Sequence, residues 1–543
     1  MNNAIPRVPR PANEPILAFA PGSPERAALK AEIERLRKTE FDIPVVIGGK
    51  QIRTGKTAPL ARPDCLSETL GRYHLAGEAE AKAAIAAALA AKAEWESLPW
   101  EERAAVFLRM AELITGPWRL TLDAACMLGQ SKTPWQAEID AVCEVADFLR
   151  YNPAYMERLY EDQPGNGPAE WNRMSLRALD GFVYAVTPFN FTSIACNLAT
   201  SPAMMGNTVV WKPASSSILS NWLLMQIYEE AGLPPGVINF LPGPGSVITK
   251  AVLGAPEFAG LHFTGSTAVF RSLWQGIGEG LPRYRNYPRI VGETGGKDFI
   301  FVDPSADLEA CLPACIRGAF EYQGQKCSAA SRLYVPKSTG PAFLEKLAAE
   351  IKTIPMGEIT DFRNFMGAVI DEASFDNISG AIARAKKAKG VRILAGGGAD
   401  KSKGFFIEPT LILSEDPHSE TLENELFGPV LTAYVYDDSD MDAAYRLVDG
   451  TSPYALTGAV WAKDRRAIVR ALDALRHSAG NLYVNDKPTG AVVGRQPFGG
   501  ARASGTNDKA GSMLNLLRWA SAGAIKENFA PARVWRYAHM DEA

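Results

Sequence analysis

One of the seven cysteines in this 543-residue chain lies in a segment suited to chemistry: Glu321-Tyr-Gln-Gly-Gln-Lys-Cys327-Ser-Ala-Ala. Small residues follow the thiol, a helix is expected to end just before it, and Lys326 adjoins it. That setting helps a thiolate, the nucleophilic form, to develop. Without further context a lone cysteine is most often a small buried hydrophobe.

A second constellation could receive a phosphate. In Phe263-Thr264-Gly265-Ser266-Thr267 a strand runs into a Gly-Ser turn and then a helix, whose first N–H groups lack intrahelical partners. An ordinary turn is the competing reading. Gly243-Pro-Gly245-Ser-Val-Ile248 nearly matches the Gly-x-Gly-x-x-Gly dinucleotide fingerprint but lacks its third glycine.

Metal chemistry has little support. The five histidines (74, 262, 418, 477 and 539) show no ligand spacing, and Cys311 with Cys315 reads as a pair of core residues on one helix face. An odd count of sparse cysteines fits reduced thiols rather than a disulfide framework.

The elements that must hold these residues are legible in outline. Glu78 to Thr115 is rich in Ala, Glu, Lys, Leu and Arg, with Leu98-Pro99 breaking it into two helices. Helical character continues from Asp123 to Tyr155, and Pro164 to Pro168 forms a linker. From Gly181 short β-rich runs (182–186, 208–211, 237–240, 260–264) alternate with helices, the signature of a parallel sheet. The helix after Lys212 is expected to start at Ser215 to Ser217 and end at Gly232. A second α/β region runs from Asp298 to about Gly500 and includes a helix from near Asp307 to Tyr322, closed by Gly324. Leu514 to Ile525 reads as an edge strand that could pair with a partner subunit.

Such a length favours two or three domains with a cleft between them. The apolar fraction is 47%, the charged fraction 22% and the formal net charge −4. These values imply a globular protein without a nucleic-acid or membrane footprint, and a small-molecule substrate. The longest apolar runs fall far short of the roughly 20 residues a spanning helix needs. Met1 to Pro15 carries four prolines and resembles neither a signal nor a transit sequence, so a cytoplasmic location is expected.

Five ordered motifs resemble the aldehyde dehydrogenase superfamily: Pro188-Phe-Asn190-Phe191, Lys212-Pro-Ala, Glu293-Thr-Gly-Gly-Lys, Gly324-Gln-Lys-Cys327 and Glu425-Leu-Phe427-Gly-Pro. Glu293 to Phe299, Thr489 to Gly500 and Ser504 to Lys509 resemble the branch that oxidises glutamate γ-semialdehyde, the 1-pyrroline-5-carboxylate dehydrogenases. The implied fold is α/β, with a Rossmann-like cofactor domain (1–163 and 182–294), an α/β catalytic domain (295–513) and a small β oligomerisation element (164–181 and 514–543).

The resemblance implies that Cys327 attacks the aldehyde, that Asn190 and the Cys327 N–H stabilise the oxyanion, and that Glu293 activates the water that hydrolyses a thioester. It places NAD on Lys212, on Gly265 to Val269 (through Ser266, Thr267 and Ala268), and on Glu425 and Phe427, with Thr187 at the mouth of that pocket. Ser215, neutral where many NAD-preferring relatives carry an acid, leaves NADP as a poorer alternative. The substrate carboxylate falls to Ser328 and the backbone of Gly490 and Ala491, its methylene chain to Phe191 and Phe498, and the tunnel mouth to Glu144. A homodimer or assembly of dimers, and docking to a proline dehydrogenase, are implied in the same way. A cofactor-independent cysteine hydrolase and a non-catalytic scaffold are the rival readings.

Overall fold

In a computed structural model, which describes residues 5–542, the chain builds two seven-stranded sheets. The first runs in the order Arg289–Glu293, Phe258–Thr264, Phe182–Val186, Thr208–Lys212, Ile238–Phe240, Val45–Ile47, Lys50–Ile52. Its first five strands are parallel and the last two antiparallel. Alternation along the central strands explains why helices cover both faces. Phe182 and Tyr184 enter one core cluster with helices Glu78–Ser97 and Thr267–Gly280, whereas Val183 and Ala185 enter another with Thr192–Met204 and Ile218–Glu230.

The second sheet has the order Val391–Ala395, Thr410–Ser414, Val430–Tyr436, Ala330–Pro336, Asp298–Val302, Thr457–Trp461, Asn481–Val484. It is parallel except for its first, antiparallel edge strand. Ile300 and Val302 face one core cluster, Phe299 and Phe301 another. No helix among the described residues is long and apolar enough to cross a membrane.

Three expectations about elements need correction. The helix from Asp307 stops at Phe320, not Tyr322: Tyr322 and Gln323 take left-handed backbone angles (φ 53° and 56°) and begin a sharp turn. Ser215–Ser217 is a separate 3₁₀ turn before the helix Ile218–Glu230, and no serine side chain caps it. Leu514 to Ile525 is not one strand. Met513–Leu517 is a short helix that buries Leu516 in the first core, Trp519 is fully buried behind it, and only Ser521–Asn528 is a strand. That strand pairs antiparallel with Glu170–Arg177 along eight registered positions.

Candidate active site

The turn at 322–324 delivers the thiol. Gln323 holds it rigid, donating to the carbonyls of Ser131 (3.0 Å) and Ala368 (2.7 Å) and accepting from Gly367 N (3.0 Å). Gly324, at φ 66°, has no room for a β-carbon because the Gly428 carbonyl lies against it. Cys327 follows and is buried. Burial raises its thiol well above the ordinary range, and the nearby carboxyls of Glu293, Asp298 and Glu425 push the same way. The expected help from Lys326 is absent. Its ammonium pairs with Glu321 at 3.0 Å, because a buried cation needs a counter-ion, and so it does not serve the thiol.

Asn190 sits just before the helix Thr192–Met204 and donates through Nδ2 to the Gln325 carbonyl at 3.1 Å. One amide hydrogen is thereby held and the other left for an acceptor near the thiol. Phe191, at the N-cap position, offers no cap. Asp140 caps the helix from elsewhere, accepting from Thr192 N (3.0 Å) and Ser193 N (2.9 Å). It projects from a π-helical turn, Glu138–Glu144, and is paired with buried Lys132. The Lys132 ammonium also lies 4.5 Å from the Phe191 ring centre and 4.6 Å from that of Tyr322.

Glu293 ends the strand Arg289–Glu293, rather than standing in a solvated loop. Its Oε1 is buried without a hydrogen-bond partner. Burial raises its pKa to about 8, with Lys509 opposing. Gly295 and Gly296 follow because a β-carbon at either would collide, with the Glu425 carboxyl or with the Cys327 carbonyl.

A cavity of about 920 Å³ opens on this group. Cys327, Glu293, Phe191, Ser328, Gly490, Ala491, Phe498 and Glu144 all line it, and Asn190 stands just behind. Ser328 Oγ lies 2.8 Å from Thr489 Oγ1. Glu144 ends the π turn, and burial followed by the nearby Asp140 raises it to about 8.

The residues assigned to the cofactor lie apart from this cavity. Lys212 ends its strand with Gly245, the first residue of the helix Gly245–Gly254, beside its ammonium. Burial lowers the Lys212 pKa. Ser266 caps Thr267–Gly280, accepting from Val269 N at 3.4 Å. Gly265 and Thr267 are half-buried and Ala268 and Val269 exposed, so the start of that helix is open to a ligand. Glu425 accepts from Gly296 N (2.9 Å), and Phe427 packs edge-on against Phe189 at 5.8 Å. Thr187 is 3% exposed, and its hydroxyl accepts from the Trp211 indole at 3.0 Å.

Sequence reasoning missed Lys132, Asp140, Thr489 and the segment Asn13 to Phe19, part of which lines the cavity. Only Thr489 carried a signal, as the first residue of a recognised run. The others act through contacts distant in sequence.

Comparison with known proteins bears on the family and the fold. The aldehyde dehydrogenase family model matches residues 52–519. The mitochondrial delta-1-pyrroline-5-carboxylate dehydrogenase of Dictyostelium discoideum is 49% identical, over 98% of this chain and 96% of its own. The crystal structure of the delta-pyrroline-5-carboxylate dehydrogenase of Mycobacterium tuberculosis bound with NAD superposes with a TM-score of 0.96 at 52% identity, over the whole of both chains. Proline utilization A from Bdellovibrio bacteriovorus aligns with 97% of this chain but 55% of its own, at a TM-score of 0.91 and 32% identity. With a family match over most of its length and a shared fold, the chain belongs to the aldehyde dehydrogenase family.

Proposed function

We propose that this protein is an NAD-dependent dehydrogenase that oxidises L-glutamate γ-semialdehyde, the open form of 1-pyrroline-5-carboxylate, to L-glutamate in proline breakdown. The observation that carries this reading is one cavity that joins a buried thiol and a buried carboxyl to the Ser328–Thr489 pair and the loop at Gly490.

Cys327 is the nucleophile. Loss of its proton to solvent lets sulfur attack the aldehyde carbon to give a thiohemiacetal. The oxyanion is met by the free Asn190 amide hydrogen and the Cys327 N–H, already oriented because Gln325 holds Asn190. A bound nicotinamide supplies the hydride acceptor, leaving a thioester on Cys327. Glu293 then takes a proton from water as that water attacks the thioester carbon, and the thiolate departs. A base with a pKa near 8 suits this step at near-neutral pH.

The residues present fit NAD. Lys212 lies at a helix start without a covering side chain, Ser266 opens a second helix, and Val247 and Val269, on these two touching helices, are exposed apolar side chains against which an adenine would pack. Lys212 would hold the adenosine ribose, Gly265, Ser266 and Thr267 the pyrophosphate, with Ala268 and Val269 beside it, and Glu425 and Phe427 the nicotinamide side. Ser215 is exposed and neutral and would not repel a 2′-phosphate, which leaves NADP as an alternative to NAD, the poorer of the two. Thr187 acts by fixing Trp211.

Ser328 and the N–H groups of Gly490 and Ala491 would bind the far carboxylate. Phe191 and Phe498 would cover the methylenes, and Glu144 the tunnel mouth. The two-stranded sheet of Glu170–Arg177 and Ser521–Asn528 leaves Trp171 and Ile525 exposed, which supports a homodimer through this element. Likeness to about half of a longer protein named for proline utilization supports docking to a proline dehydrogenase. All seven cysteines are free, in keeping with a reducing compartment, which we take to be the cytoplasm although the Dictyostelium relative is named mitochondrial.

The test is NADH formation at 340 nm by wild type and Cys327→Ala, with glutamate semialdehyde against propanal and NAD against NADP. Cysteine-dependent reduction of NAD, strongest with the carboxylated aldehyde, is the expected result. No reduction with any aldehyde would overturn the reading.

A further inference from the structure

We infer that Asn13, in an N-terminal segment far in sequence from the active-site motifs but at the wall of the same cavity, is a positioning residue for the loop that anchors the substrate carboxylate. The inference rests on the function proposed above. The loop, Thr489 to Gln496, contains no helix or strand and must hold two backbone N–H groups, at Gly490 and Ala491, in a fixed place. It lies against the helix Val145–Glu161. Gly494, at φ 83°, has the Tyr151 ring where a β-carbon would be.

Asn13 ties the loop to that helix. Its Nδ2 donates to the Val493 carbonyl (2.8 Å) and to Asp147 Oδ2 (2.8 Å). Its Oδ1 accepts from Arg495 Nε (3.1 Å) and the Tyr151 hydroxyl (3.4 Å). Both amide hydrogens are used and the oxygen accepts twice, so the side chain has no donor left for a substrate and works through the loop.

The segment carrying Asn13 is itself held firmly. Glu14 N donates to Asp147 Oδ1 (2.8 Å), and the Glu14 carboxylate is shared between Arg119 (2.7 Å) and Arg150 (2.6 Å). Leu17 N donates to Glu138 at 2.8 Å. Asn13 is thus a fixed bracket between a rigid helix and a loop that lacks secondary structure of its own. Removing its amide frees the Val493 carbonyl and Arg495, and the N–H groups at 490 and 491 lose their register with the thiol.

The test uses the full chain with Asn13→Ala and Asn13→Asp. The second substitution keeps the volume and the acceptor for Arg495 but cannot donate to Val493. Both should raise KM for glutamate semialdehyde by about 10-fold with kcat within twofold, since small misplacements of binding groups are costly. Inhibition by the product L-glutamate should weaken in parallel. The KM for propanal, which has no carboxylate, should move less than twofold. Equal loss for both aldehydes would reveal a merely structural role and overturn the inference, as would an unchanged KM in both variants. If wild type itself fails to oxidise glutamate semialdehyde, the functional reading fails and the inference with it. Wild-type selectivity that survives in the variants overturns the role of Asn13 alone.

Discussion

The hydroxyls of Ser328 and Thr489 lie 2.8 Å apart, joining the residue after the thiol to a loop 161 positions further along the chain. The pair fixes the distance between the reacting end of the substrate and the anchor for its carboxylate. Thr489→Val removes the partner and keeps the shape. A lost hydrogen bond of about 1 kcal/mol corresponds to a KM for glutamate semialdehyde raised about fivefold. Initial rates should show this with propanal kinetics unchanged.

Glu293 lines the cavity, and its Oε1 is buried without a hydrogen-bond partner among the described residues. Glu293→Gln should still form the thioester but hydrolyse it slowly. Rapid mixing should show a burst approaching one NADH per subunit, followed by a steady rate about 10² to 10⁴ times below wild type. A slow rate without a burst would place Glu293 in the first half-reaction instead.

The raised pKa of Glu293, about 8, has two readouts. Where thioester hydrolysis limits the rate, kcat should rise with pH through about 8, and this dependence should vanish in Glu293→Gln. For stability, the folded carboxyl keeps a proton that the unfolded chain has lost between about 4.5 and 8. The unfolded state then binds fewer protons, so this group's contribution falls as pH rises across that window. Melting temperatures of Glu293→Gln should therefore gain on wild type from pH 5 to pH 8.

Cys327 sits among carboxyls, with Lys326 turned away to Glu321. Alkylation of the cofactor-free protein by iodoacetamide should climb steadily between pH 7 and pH 9 without a plateau, because only the thiolate reacts. A plateau near pH 7 would mean that a cation reaches the thiol after all.

Asp140 both caps the helix after Asn190 and neutralises Lys132. Asp140→Ala strands a buried ammonium, a defect of about 3–5 kcal/mol. Differential scanning calorimetry should show a melting point lowered by several degrees, and kcat should fall as Asn190 loses its support. Adding Lys132→Met should restore much of the melting point, since the stranded charge is gone, and less of kcat.

The sequence by itself determined the central strands, the break at Leu98-Pro99 and the identity of the residues now found around one cavity. Phe182–Val186 was bounded correctly because alternate packing on two faces writes a short apolar run into the chain. Cys327 and Glu293 were legible because each stands in a motif with glycines fixed by close approach, Gly324 by the Gly428 carbonyl and Gly295 and Gly296 by Glu425 and Cys327, and Asn190 because it stands in the run Pro188-Phe-Asn-Phe191.

Tertiary structure alone decided the rest. The left-handed turn at Tyr322 and Gln323 is held by partners near positions 131 and 367, so local propensity, which favours continued helix, could not foresee it. Lys326 pairs with Glu321 instead of the thiol because burial of an ammonium demands a counter-ion, and adjacency in sequence does not say which way a side chain points. Leu514 to Ile525 divides into helix and strand because Leu516 and Trp519 find a core built mainly by residues hundreds of positions earlier. Lys132 and Asp140 pair over only eight positions, but Asp140's cap on the helix at Thr192, Lys132's contacts with Phe191 and Tyr322, and Asn13's hydrogen bonds to Val493 and Asp147 exist only once distant segments have been brought together.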